Sequence, residues 1–84
     1  MKSKAAYDAI RNAVEADTSK RMIESHYDEQ NFGNFVIAFE ENGERKTVVN
    51  ERGFVTASAG LDCIATVPSL HDADEQTLLR LLAL

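Results

Sequence analysis

From Phe32 to Val67 the apolar positions read as consecutive short β-strands, with residues two apart sharing a face. Turn-forming groups interrupt them at short intervals: Glu41-Asn42-Gly43-Glu44, Asn50-Glu51-Arg52-Gly53 and Gly60-Leu61-Asp62. A period of two bounded by such groups specifies the strands of an antiparallel meander. From Phe32 to Glu40, Phe35, Ile37 and Phe39 share one face while Val36 and Ala38 share the other, the pattern of a central strand covered on at least one side. Asn42-Gly43 supplies the two positive φ angles of a tight hairpin turn. As a two-residue loop it sets Glu40 opposite Arg45, Ile37 opposite Val48 and Val36 opposite Val49, matching charge with charge and apolar with apolar. The same register faces Glu41 with Glu44, so a three-residue loop with Gly43 as a bulge is the alternative. Phe54–Ser58 and Cys63–Val67 read as further strands, and Pro68, which has no amide to donate, ends the last one.

Helical periodicity flanks the meander. From Ser3 to Ala16, Ala6, Ala9, Ile10, Ala13 and Val14 fall on one side, and Asp8, Arg11, Asn12 and Glu15 on the other, with Ser3 as the N-cap. The apolar side is mostly alanine, so this helix is expected to approach a sheet closely while contributing little area. Arg21–Asp28 alternates like a strand, with Asp28-Glu29-Gln30-Asn31 as its connection onward, but Met22, Ile23 and Tyr27 also suit one face of a short helix. Past Pro68, either Ser69 and Asp72 form a capping box or Asp72 caps a helix from Ala73. Leu78, Leu79, Leu81, Leu82 and Leu84 crowd the end of that helix, more than one core-facing stripe requires. Leu78 and Leu82 are therefore candidates for the core, for a homodimer interface, or for both.

The expected fold class is α+β: an N-terminal helix, an antiparallel meander of four or five strands, and a C-terminal helix packed on the sheet. At 84 residues the chain builds one domain, residues 1–84, with a small core that a partner subunit would help to stabilise.

Charge narrows the function. Fourteen acidic residues against nine basic ones give a net charge of -5, and the bases are scattered in pairs such as Lys20/Arg21 and Arg45/Lys46. Phosphate backbones would be repelled, which argues against nucleic-acid binding. An acidic surface instead steers basic proteins toward it. No apolar run approaches the length of a membrane span, no signal peptide stands at the start, and a single cysteine makes no internal disulfide; a cytoplasmic protein is expected. Cys63, within a strand, reads as a small buried hydrophobe.

Candidate chemistry is sparse. His26 and His71 have no cysteine or histidine at zinc-ligand spacing, and the acids after His71 fit the start of a helix. The hydroxyls of Thr56, Ser58, Thr66 and Ser69 lack a nucleophile elbow, and the glycines do not form a phosphate-binding loop. The expectation is a non-enzymatic binding domain with no catalytic residues, cofactor or metal.

Phe32-Gly33-Asn34, the apolar run Phe35–Phe39, and Asn50-Glu51-Arg52-Gly53 ahead of another strand resemble a pattern found in small bacterial proteins of the toxin-immunity type. The resemblance covers about residues 28–58 and implies a cytoplasmic inhibitor that masks a toxin, which is often a basic nuclease. Its binding surface is then expected among Glu40, Glu41, Glu44 and Glu51, together with Asp28 and Glu29, clustered along one end of the sheet. The reading from another class is a small homo-oligomeric structural or regulatory module, docking through Leu78 and Leu82 or an exposed strand edge.

Overall fold

A computed structural model of residues 1–84 shows α1 (Ser3–Ala16), β1 (Lys20–Asp28), β2 (Asn34–Glu41), β3 (Glu44–Glu51), β4 (Phe54–Ala59), β5 (Asp62–Val67), a 3-10 turn at Leu70–Asp72 and α2 (Glu75–Leu81). The five strands form one antiparallel sheet in chain order, β1-β2-β3-β4-β5, the α+β meander that the alternation specifies. Arg21–Asp28 is a strand: its residues pair along β2 from Glu40 to Asn34.

The β2–β3 register is the one dictated by a two-residue Asn42-Gly43 loop. Glu40 lies opposite Arg45, Ile37 opposite Val48 and Val36 opposite Val49. Asn42 and Gly43 take φ of 54° and 78°, so the twist of the turn matches that of the strands. Glu41 and Glu44 do face each other. Two lysines on Glu41 offset their repulsion, and no bulge forms there.

Bulges appear instead on both edge strands. Ile23 in β1 and Ile64 in β5 are the unpaired extra residues, 38% and 51% exposed. A bulge twists an edge away from flat pairing and blunts it as a template for another strand.

Both helices cover the face that carries Phe35, Ile37 and Phe39 of β2, Val48 of β3, Val55 and Ala57 of β4 and Val67 of β5. Ala6, Tyr7, Ile10 and Val14 from α1, with Leu70, Leu78 and Leu82, complete the core. Tyr7 corrects the expectation that α1, with its mostly alanine face, contributes little buried area. Its ring packs 5.4 Å from Tyr27 and edge-on to Phe35 at 5.6 Å, adding the largest side chain that α1 buries. Ser3 is not the N-cap; it is the first helical residue, and its hydroxyl meets the Tyr27 hydroxyl at 3.2 Å.

The C-terminal helix also starts later than expected. Asp74 caps it, accepting from the Thr77 amide at 2.7 Å, and this contact holds its carboxyl below the usual carboxylate range. Asp72 instead accepts from the Ser69 hydroxyl within the 3-10 turn.

Leu78 and Leu82 are 0% and 5% exposed, turned inward onto the core. They are withdrawn from any partner surface, since reaching one would unpack the subunit. Cys63 is exposed, contrary to the buried reading. It pairs with Ser58 on the sheet face away from the helices, beside the Ile64 bulge that shifts the edge strand.

Candidate functional site

The sheet face opposite the helices carries no second layer. Strand alternation puts three cross-strand rows on it: Arg21–Glu40–Arg45, then Glu24–Ala38–Thr47–Ser58, then His26–Val36–Val49–Thr56–Thr66. Arg21 bonds Glu40 at 3.3 Å, and Arg45 reaches Glu24 at 3.8 Å. Between them Ala38 is wholly buried, its methyl lying below the longer side chains of its row.

The acids expected to form one patch are split. Glu44 and Glu51 are the two ends of β3, separated by about 23 Å at strand rise. Glu40 and Glu41 are neighbours in one strand and so point to opposite faces. Glu41 lies under the helix side, bonded to Lys46 at 2.8 Å and Lys20 at 2.9 Å. Those ammonium groups, Lys46 foremost, lower its pKa from the ordinary 4.5 to about 2. Lys20 also bonds Asp17, whose carboxyl is held well below its usual range by Lys20 and then by Ser19, while the lysine is raised in turn by Asp17 and Glu41. The group Asp17–Lys20–Glu41–Lys46 is neutral, so it offers no net charge to a partner.

Ion pairs occupy six acids and six bases in all, which leaves eight acids against three bases to carry the whole net charge. Three of those eight, Asp28, Glu29 and Glu51, stand at the end of the sheet opposite the Asn42-Gly43 turn.

At that end two turns interlock. The β1–β2 connection runs to Gly33, longer than the expected Asp28–Asn31, so Phe32 lies in the turn and not in the strand. The β3–β4 turn is Arg52-Gly53 between paired Glu51 and Phe54. Asn50, 1% exposed, donates from Nδ2 to the Gly33 carbonyl at 3.1 Å and accepts from the Gly53 amide at 2.9 Å. Asn34 Oδ1 accepts from the Arg52 amide at 2.8 Å. Gly33 is required twice over: its φ is +67°, and a Cβ there would lie 2.1 Å from Ser3 Oγ of α1.

Held by these bonds, Arg52 lays its guanidinium over the Phe32 ring, 4.2 Å from the centroid. Phe32 is 65% exposed. Both residues sit in the left-handed region, with φ of 58° for Phe32 and 53° for Arg52. That conformation costs a bulky residue about 1–3 kcal/mol, and such residues cluster where a surface has work to do. The same chain uses Asn-Gly for the equivalent turn at residues 42–43.

Sequence reading missed Phe32 and Arg52 as a pair. The available signal was the choice of arginine before Gly53 in a two-residue turn slot where asparagine is favoured, and of phenylalanine directly before Gly33. The chain matches no protein-family model, no curated protein sequence and no solved structure.

Proposed function

We propose that the protein is a non-enzymatic protein-binding domain, with the exposed Phe32–Arg52 pair as its anchor and immunity-like inhibition of a bacterial toxin as its role. The observation that carries this reading is the stacked pair itself: two bulky side chains kept at a strained backbone conformation, solvent-facing, on two turns made rigid by Asn34 and Asn50. Arginine is enriched among the hot spots of protein interfaces and phenylalanine at their cores, and a preformed loop loses little entropy on docking. The residues that build the pair, Phe32-Gly33-Asn34 and Asn50-Glu51-Arg52-Gly53, are those that carry the resemblance to immunity proteins. Asp28, Glu29 and Glu51 beside them make no ion pair and favour a basic partner. The binding surface proposed therefore shifts from Glu40, Glu41 and Glu44 to the other end of the sheet.

The test is co-expression with the product of the adjacent gene, followed by binding kinetics for Phe32→Asn and Arg52→Asn. Asparagine suits a left-handed residue, so both variants should fold at least as well as the parent. Each should weaken binding about tenfold or more, and the on-rate should fall as salt rises. Unchanged affinity in both variants, or no binding of the neighbour, would overturn the reading.

A further inference from the structure

Next to the interlocked turns, on the uncovered sheet face, His26, Asp28, Val36, Val49 and Glu51 line a shallow hollow of about 250 Å³. We infer that this hollow receives one long basic side chain, arginine or lysine, from a partner protein; the inference rests on the protein-binding reading above and names the chemistry its partner must carry.

The hollow is built in two parts. Val36 and Val49 pair directly across β2 and β3 and give it an apolar floor, with His26 beside Val36 as a planar wall. Asp28 and Glu51, at the strand ends, supply two carboxylates that make no ion pair within the chain. An amphipathic side chain fits this division, its methylenes on the valines and its charged head at the acids. Guanidinium has the further option of stacking on the imidazole plane.

Other occupants fit less well. The volume is under the ~300–1,000 Å³ of small-molecule sites. No three of the His, Cys, Asp and Glu side chains are grouped closely enough to hold a metal ion. The chain's own nearby cation, Arg52, is engaged on Phe32.

The probe is a capped Gly-Arg-Gly peptide titrated into isotope-labelled protein and followed by amide NMR, with Gly-Lys-Gly and Gly-citrulline-Gly in parallel. Saturable shifts centred on His26, Val36, Val49 and Glu51 are expected for the two cationic peptides, with millimolar affinity. The neutral citrulline peptide should bind about fivefold or more weaker, as should the arginine peptide to Asp28→Asn/Glu51→Gln. Failure to saturate by about 50 mM, equal binding of citrulline, indifference to the double substitution, or shifts centred elsewhere would each overturn the inference. With the full partner, a double variant that binds as the parent does, while Phe32→Asn is impaired, defeats the hollow and leaves the anchor standing. Loss in the double variant with none in Phe32→Asn or Arg52→Asn does the reverse.

Discussion

Replacing Asn50 by alanine tests the interlocked turns most directly. Its side chain is the only link between the Gly33 carbonyl and the Gly53 amide, and it is 1% exposed. Removal leaves both backbone groups without a partner. A buried orphan costs about 1–3 kcal/mol, and the Gly53 amide is only partly buried, so the total should be about 2–4 kcal/mol. A domain of 84 residues holds about 4–13 kcal/mol in all at typical stability per residue, so Asn50→Ala should leave it marginal. Urea denaturation reads this as a midpoint lower by about 2–4 M for a slope near 1 kcal/mol/M. Asn50→Asp sharpens the test. It keeps an acceptor for Gly53 but sets a carboxylate against the Gly33 carbonyl, so it should be at least as damaging at neutral pH. Acidification should partly restore it, because a protonated carboxyl regains a donor: its folded pKa is raised, and the stability so gained is lost as pH rises through that value. Asn34→Ala, whose partner amide is exposed, should cost only about 0.5–1.5 kcal/mol. An Asn50→Ala loss below about 1 kcal/mol, or Asn50→Asp as stable as the parent at pH 7, would refute the account.

Three further outcomes follow from the core and its rim. Phe35→Ala and Phe39→Ala, at positions 1% and 2% exposed, should each cost about 3–5 kcal/mol in denaturant melts. Stability should fall on both sides of neutrality. Glu41 and Asp17 have lowered pKa values, so their contribution is complete above the ordinary carboxylate range and is lost as pH drops, for Glu41 between 4.5 and about 2. Lys20 is raised, so its contribution is complete below its ordinary 10.5 and is lost above it. Glu41→Gln should flatten the acid limb in melts across pH. Cys63, exposed on its edge strand, should react with a thiol reagent in the folded protein as fast as in denaturant, and marked native protection would contradict its placement.

Local rules carried the fold a long way. Alternation from Phe32 to Val67, Asn42-Gly43 and Pro68 are short-range signals, and from them come the strands, the β2–β3 register and the end of β5, because a turn's φ angles and a strand's period act within a few residues. The α1 stripe through Ile10 and Val14 is legible for the same reason. The bulges at Ile23 and Ile64 are not, since neither strand's own pattern shows which residue its neighbour will skip. Nor does sequence settle which sheet face the helices take; that choice buried Leu78 and Leu82 and left Cys63 in solvent. The acids show the limit most sharply. Glu40, Glu41, Glu44 and Glu51 look alike along the chain, yet pleating sends Glu41 between two lysines and the length of β3 carries Glu51 to the far end of the sheet. Phe32 and Arg52 lie in separate turns, and they meet because a meander returns its alternate turns to one end and the buried Asn50 side chain ties those two together.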